Sequence, residues 1–168
     1  MFHKLAEKID QRFDLETVDA HCDIPCGIYD PHQAQIGALT VIRMVDLIHS
    51  MVEEHGKGDT AEFINSMARY IATKEEHAEA TKHEIRVIWG DFIKDAHLEE
   101  YPQLNGLVHK IMQLGSKARQ TVNRETAVDL LEAVNEFAAI FWQIKGKETQ
   151  RVKAPYSVGE EIVVPILS

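Results

Sequence analysis

Apolar residues recur every three or four positions over long stretches of the chain, with polar and charged residues between them. This spacing is typical of α-helices that bury one face. The first predicted helix extends from Pro31 to about Val52, with Asp30 as its N-cap. The second extends from Thr60, a residue suited to capping, to about Ile93. We therefore expect the first half of the chain to form two long helices that share a core.

Two further helices are predicted in the second half of the chain. After a break around residues 95–101, a third helix begins at Pro102. A fourth begins after Asn123, its N-cap, and ends at Gly146. No alternation typical of a strand appears before the C-terminal tail. Four helices of similar length joined by short loops favour an all-α fold, an up-and-down four-helix bundle over residues 31–146.

The two ends of the chain differ from the helical region. Residues 1–20 carry charges of both signs and apolar residues at helical spacing, and they lack the apolar core of a secretory signal. We interpret them as a leader that a processing protease recognises, or else as a frayed helix without a role. Residues 147–168 end in an apolar run and predict an arm or short extended segment that packs on a neighbouring subunit. A disordered tail is the alternative.

Composition narrows the possible partners. The 168 residues are enough for one domain with a substantial core. A formal net charge of −9 argues against nucleic acid and anionic membranes as partners. The same charge repels an anionic substrate, so a site for one would need positive charge close by. We expect no span of about 20 apolar residues, the length that crosses a membrane, and we expect the protein in the cytoplasm.

The only two thiols of the chain lie four positions apart, next to an imidazole. Cys22 and Cys26 follow His21, with Pro25 between them. Two thiolates this close can bind one metal ion or form a small disulfide, and soft sulfur ligands select soft or borderline metals. Taken alone, the pair is also typical of a redox dithiol, a partial zinc site or two unrelated buried thiols. Structural zinc normally has four protein ligands, and thioredoxin motifs have two residues between their thiols, so neither pattern is matched here.

The segment His-Cys-Asp-Ile-Pro-Cys-Gly-Ile-Tyr-Asp-Pro, residues 21–31, resembles the nickel hook of nickel-containing superoxide dismutases. We call it the hook. The resemblance continues through residues 82–92 and 101–104 and returns weakly at 141–142. It covers about residues 21–146 and leaves the leader and the C-terminal arm outside its well-matched part.

This resemblance implies a nickel-dependent enzyme that converts two superoxide ions to dioxygen and hydrogen peroxide. It implies one nickel ion per subunit, held by His21, Cys22 and Cys26. The equatorial donors would be the free amine of His21, the deprotonated amide of Cys22 and both thiolates, with the His21 imidazole as an axial ligand. The amine is free only after cleavage between Ala20 and His21, so the chain resembles a precursor. Family members are four-helix bundles that assemble into hexamers, which implies a homohexamer here.

Three further residues correspond to functional positions of the family. Tyr29 corresponds to the tyrosine that gates the substrate site and orders water there. Asp23 corresponds to a carboxylate that anchors the backbone of the hook. Lys94 corresponds to a lysine that pairs with that carboxylate and adds positive charge.

The sequence departs from the family at the residues that hold the axial imidazole. A glutamate and an arginine in well-known members are replaced here by Gly37 and His77. A different arrangement would therefore orient His21, and His77 is one candidate. Glu75, Glu76 and Glu79 are others. Phe92 replaces a tyrosine that hydrogen-bonds near the gate, so that hydroxyl group has no counterpart at this position.

Two other functions remain open at the level of sequence. A nickel storage or delivery protein could use the same hook without turnover, and it would release its metal readily. A thiol oxidoreductase would work without any metal.

Overall fold

The computed structural model describes residues 27–56 and 58–167. This part of the chain is mainly helical. The helices are α1 (His32–His55), α2 (Ala61–Val87), α3 (Asp95–Glu100), α4 (Leu104–Gln120) and α5 (Arg124–Ile144). A π-helical turn, Ile88–Phe92, continues α2.

The four long helices form the predicted bundle. Each of α1, α2, α4 and α5 packs against its neighbour in sequence, and α5 closes the ring by packing on α1. The apolar faces meet in one core. Its fully buried members include Ile42, Ile85, Ile111, Leu131 and Phe137. The all-α, up-and-down bundle expected from the spacing of apolar residues is therefore confirmed.

The predicted N-caps hold the starts of the helices. The Oδ1 atom of Asp30 accepts a hydrogen bond of 2.8 Å from the amide of His32. The side chains of Thr60 and Asn123 accept bonds of 3.1 and 2.7 Å from amides three residues further on. Each bond satisfies an amide that has no partner inside its helix. Local sequence thus determines where three of the four long helices begin.

The connection between α2 and α4 corrects the sequence prediction. A break was expected at residues 95–101, but Asp95–Glu100 forms the short helix α3. None of its residues is buried, so it gives no apolar periodicity to detect. It starts where the backbone becomes extended at Lys94, whose amide donates a 3.1 Å hydrogen bond to Nδ1 of His97. The helix after it begins at Leu104, two residues later than predicted.

The C-terminal arm is a β-hairpin packed on its own subunit. Strands β1 (Thr149–Lys153) and β2 (Glu161–Pro165) pair in antiparallel fashion, and β2 lies against α5. A buried polar network joins the hairpin to the bundle. Nε2 of Gln35 donates to Oδ1 of Asn135 and to the carbonyl of Val163, each at 2.9 Å, and Asn135 donates to the carbonyl of Glu161 at 2.9 Å. The extended segment that was predicted is confirmed, and its contacts are with the helices of its own chain.

Among the described residues, one helix is long and apolar enough to cross a membrane by length and composition, and it is α1. This corrects the expectation that no segment of the chain would reach that length. Nine residues of α1 are buried against the rest of the chain. The central helix of a packed core passes the same test of length and composition.

Candidate metal centre and its surroundings

The predicted metal ligands precede the described part of the chain. His21, Cys22 and Cys26 lie outside the described residues, as do Asp23 and Ala20. The described chain begins at Gly27, the residue after Cys26. The structure therefore shows where the hook leaves the bundle and what surrounds that point. Within residues 27–56 and 58–167, no three histidine, cysteine, aspartate or glutamate side chains come together in a way that could hold a metal ion.

Residues 27–31 are the last part of the hook, which we call the stalk, and they lead into α1. Gly27 has a φ angle of +69°, a left-handed conformation that favours glycine. The side chain of Ile28 is exposed, while that of Tyr29 is half-buried. Asp30 caps α1 through the amide of His32. The stalk thus begins with a left-handed glycine, and Tyr29 and Asp30 tie it to the bundle.

An aromatic cluster supports the stalk. Its members are Tyr29, Phe92, His97, Phe141 and Trp142. The rings of Tyr29 and Phe92 lie 5.7 Å apart between centroids, and Phe92 lies 5.0 Å from Phe141. His97 stacks on Phe92 at 5.7 Å, and Trp142 meets Phe141 edge to face at 5.0 Å. Aromatic pairs at these distances stabilise one relative orientation. The predicted gate residue Tyr29 therefore stands on a packed base contributed by the π turn, α3 and α5.

Lys145 connects the cluster to the stalk. Its Nζ atom donates a 2.8 Å hydrogen bond to the carbonyl oxygen of Gly27. The same atom lies 4.9 Å from the centre of the Phe92 ring and 5.9 Å from that of Phe141. A cation over an aromatic face is attracted by the electron density of the ring. An ammonium group thus contacts the backbone one residue after Cys26.

Lys94, predicted to pair with Asp23, is exposed near the same cluster. Its Nζ atom donates a 2.7 Å hydrogen bond to the carbonyl oxygen of Asp91. Its backbone amide is bonded to His97, which stacks on Phe92. The structure therefore brings Lys94 and Tyr29 to one end of the bundle, where Tyr29 contacts Phe92 directly and Lys94 is linked to it through His97. The pairing of Lys94 with Asp23 remains a prediction, because Asp23 is outside the described residues.

Gly37 marks a close approach of α1 to α2. A Cβ atom at Gly37 would overlap the hydroxyl oxygen of Thr81 and lie 3.1 Å from the carbonyl oxygen of His77. Thr81 is fully buried and donates a 2.8 Å hydrogen bond to that carbonyl. The helices thus leave no room here for a side chain. The glutamate expected at this position in relatives could not be accommodated unless the two helices separated.

Replacing Gly37 with alanine should destabilise the protein despite the higher helix propensity of alanine. Overpacking of this kind costs about 1–3 kcal/mol, and propensity offsets at most about 1 kcal/mol. We expect a lower midpoint in urea unfolding. Gly106→Ala is the matched control, since Gly106 lies in α4 with no atom within 4 Å of its Cβ position. Equal midpoints for the two variants would contradict the close approach.

His77 and Glu79, two candidates for orienting His21, have different surroundings. The Nδ1 atom of His77 is 2.9 Å from the carbonyl oxygen of Thr73. A carbonyl can only accept, so Nδ1 carries the hydrogen, and in the neutral ring Nε2 is an acceptor. Glu79 instead binds three cations, Lys82, Arg86 and Arg119, at 2.9–3.0 Å. The hydrogen bond from Arg86, together with Lys82, lowers the pKa of Glu79 to about 2.

Which of the candidates orients His21 stays a prediction, because His21 is outside the described residues. Glu79 is engaged in holding α2 to α4 through its ion pair with Arg119. His77 has an acceptor nitrogen that the Thr73 contact does not use. Glu76 is exposed and Glu75 half-buried, and neither has a contact that favours it over His77.

Sequence reasoning missed two residues of this region. His97 was not singled out, but its ring stacks on Phe92 and accepts a hydrogen bond from the amide of Lys94. Lys145 was not singled out. Its signal was present, because Lys145 lies four residues after Phe141, which places both on one face of a helix, immediately before the terminating Gly146.

The fold and this arrangement define a class of protein: a helical bundle that carries a thiol-containing hook on a braced stalk. Comparison with known proteins then identifies the family. The model of the nickel-containing superoxide dismutase family matches residues 16–145. The chain belongs to this family of oxidoreductases.

Two bacterial relatives extend the match over most of the chain. The nickel superoxide dismutase of Streptomyces coelicolor is 36% identical over 129 residues, which is 77% of this chain and 91% of the relative. That of Streptomyces seoulensis is 34% identical over 128 residues, which is 76% of this chain and 90% of the relative.

Solved structures agree in fold. A nickel-containing superoxide dismutase after partial X-ray-induced reduction matches with a TM-score of 0.65 at 33% identity, covering 75% of this chain and 99% of its own. A native nickel superoxide dismutase matches at 0.62 with 34% identity, covering 74% and 99%. Other matched structures are variants in which a histidine at position one, an aspartate at position three or a tyrosine at position nine is replaced. The family match ends at Lys145, four residues before the hairpin begins at Thr149.

Proposed function

We propose that the chain is the precursor of a nickel-dependent superoxide dismutase whose metal is held by the hook. The observation that supports this proposal is that the match to the family includes the whole hook as well as the helices of the bundle. The reaction is disproportionation, in which two superoxide ions and two protons give dioxygen and hydrogen peroxide. The substrate is a small anion, so binding requires little more than access and positive charge.

The donor set fits nickel. Cys22 and Cys26 offer two soft, anionic thiolates, and His21 offers an amine and an imidazole. Thiolate and nitrogen donors suit nickel better than hard cations such as Mg²⁺ or Ca²⁺. When bound, nickel would supply a Ni(II)/Ni(III) couple that accepts an electron from one superoxide ion and returns it to another.

The described residues would prepare the place where this happens. Tyr29 stands on the aromatic cluster at the base of the hook, where its position suits a gate. Lys94 would add positive charge and pair with Asp23. His77, with Nδ1 held by Thr73, would present Nε2 as an acceptor to the His21 imidazole, in place of the missing glutamate and arginine.

Processing before His21 is part of the proposal. His21, Asp23 and Tyr29 are spaced at positions one, three and nine of the hook, the intervals of the residues replaced in the solved variants. In those structures the histidine has position one. The family match also begins at Glu16, five residues before His21, as expected if related precursors carry a leader. A protease acting on residues 1–20 would therefore be a partner of this chain.

We further propose a homohexamer in the cytoplasm, without nucleic-acid or membrane partners. The hook is a short segment whose N-terminus is free after cleavage, and it has few residues of its own to pack. Contacts with neighbouring subunits would shape it. A net charge of −9 makes binding to nucleic acid or to an anionic lipid surface unfavourable.

A nickel carrier with the same hook is the second candidate, and turnover separates the two. Protein beginning at His21 should bind one nickel ion per chain and consume superoxide, whereas metal-free and zinc-loaded protein should not. Electron paramagnetic resonance should show low-spin Ni(III) with one axial nitrogen in the oxidised sample. Stoichiometric nickel binding without superoxide consumption would favour the carrier and overturn the enzyme.

A further inference from the structure

Lys145 lies at one end of the bundle, and both the base and the far end of its side chain are held by contacts. It follows the last residue of α5 and is half-buried. Two hydrogen bonds close the helix just after it, from the amide of Gly146 to the carbonyl of Gln143 (2.8 Å) and from the amide of Lys147 to that of Trp142 (2.9 Å). Gly146 has a φ angle of +68°, the left-handed conformation of a helix C-cap. The base of the lysine side chain is therefore fixed.

The far end of the side chain is fixed as well. Its amine lies over the Phe92 ring and donates to the carbonyl oxygen of Gly27 at 2.8 Å. Gly27 and Lys145 are separated by 118 positions in sequence, so this is a tertiary contact between the stalk and α5. The φ angle of Gly27 is +69°, a left-handed conformation that favours glycine. Holding the Gly27 carbonyl fixes the peptide unit between Gly27 and Ile28, which is the first one after Cys26 that does not include it.

We propose that Lys145 is a positioning residue for the nickel site: it fixes the stalk one residue after Cys26 and places a positive charge where the anionic substrate arrives. The inference rests on the proposed function, since it is the hook that gives the stalk its importance. A metal site needs its ligands held in place by groups outside the ligand set. Lys145 supplies such a group through the backbone of Gly27.

The charge of Lys145 has a second effect. The chain is negative overall, at −9, and repels superoxide at long range. A carbonyl oxygen and an aromatic ring bind the ammonium group without neutralising its charge. A cation beside the hook raises the local concentration of an anion, and salt screens this effect over about 10 Å at 0.1 M.

The test compares nickel-loaded chains that begin at His21 and carry Lys145→Met, Lys145→Arg or Lys147→Met. Methionine keeps the length and the contact with the rings but removes the charge and the hydrogen bond. Arginine keeps the charge and a donor. Lys147, exposed and two residues further on, is the control for the change in net charge. Nickel affinity is measured by competition with a chelator, and kcat/KM is measured over a range of ionic strength.

We expect Lys145→Met to bind nickel about tenfold more weakly, as is usual when a group supporting a ligand is removed. Its kcat/KM at low ionic strength should fall about threefold or more, and the deficit should shrink as salt is added. Lys145→Arg should recover most of the affinity and keep the salt dependence of the parent. Lys147→Met should match the parent in both measurements.

Three results would overturn the inference. Nickel affinity of Lys145→Met equal to that of the parent would remove the positioning role. If kcat/KM depended on ionic strength in the same way in Lys145→Met and in the parent, the charge of Lys145 would not attract the substrate. An equal loss in Lys147→Met would show that only net charge matters. Affinity is measured without turnover, so the positioning role is decided even if the parent shows no dismutase activity, a result that would count against the proposed function instead.

Discussion

Full-length protein, reduced and supplied with nickel, should show no dismutase activity, whereas the same chain beginning at His21 should be active. While Ala20 is bonded to His21, the nitrogen of His21 is an amide, which carries a proton and is a poor donor. The leader must also continue through the place where that nitrogen would meet the metal. Cleavage frees an amine, a group whose reference pKa of about 8 lets Ni(II) displace its proton. Processing would then switch the enzyme on.

The measurement is superoxide consumption by the two proteins at equal concentration, with metal content determined for each. Intact mass must confirm that the leader is still attached to the long form at the end of the assay. A useful control begins at Thr17, because it lacks nearly all of the leader yet still has an amide at His21. It should be as inactive as the full-length chain. Equal activity of the full-length and His21 forms would refute the switch.

Replacing either cysteine with serine should reduce activity to that of metal-free protein. A cysteine coordinates a metal strongly only as the thiolate, so nickel binding should release two thiol protons from the unsubstituted protein. A serine hydroxyl stays protonated near neutral pH and is a hard donor that nickel does not favour over sulfur. Each of Cys22→Ser and Cys26→Ser should therefore lose the bound metal or hold it in an inactive form.

A matched control introduces the same residue in the stalk without replacing a thiol. Ile28 is 83% exposed, so Ile28→Ser removes little buried surface and should retain activity. Absorbance from thiolate-to-nickel charge transfer should disappear in the cysteine variants and persist in the control. Near-full activity in either cysteine variant would rule out a site with two thiolates.

Residues that contact near neighbours in the sequence could be predicted from the sequence alone. Asp30, Thr60 and Asn123 cap the helices as predicted, because capping involves amides only two or three residues away. Helical periodicity predicted the bundle, since an apolar stripe has to be buried. Helix α3 was missed because it has no buried face and therefore no such stripe.

Residues that contact partners far away in the sequence could not be predicted in this way. Gln35 and Asn135, which are 100 positions apart, look like ordinary surface residues in the sequence, yet both are buried and hold the hairpin. Their burial is tolerated because each buried polar atom has a hydrogen-bond partner within the described chain. Gly37 likewise gives no hint in the sequence that Thr81 and His77 approach it from another helix.

The sequence by itself determined the class of fold, the capped helices and the family to which the hook points, because each depends on local spacing; the nickel ligands stay a prediction that the resemblance implies. Only the tertiary structure decided what surrounds the hook. It brought Tyr29, Phe92, Phe141 and Lys145 to one end of the bundle and engaged Glu79 in an ion-pair network. The reason is physical: side chains far apart in sequence meet only where helix packing brings them within a few ångströms, and helical periodicity does not encode which ends of the helices meet.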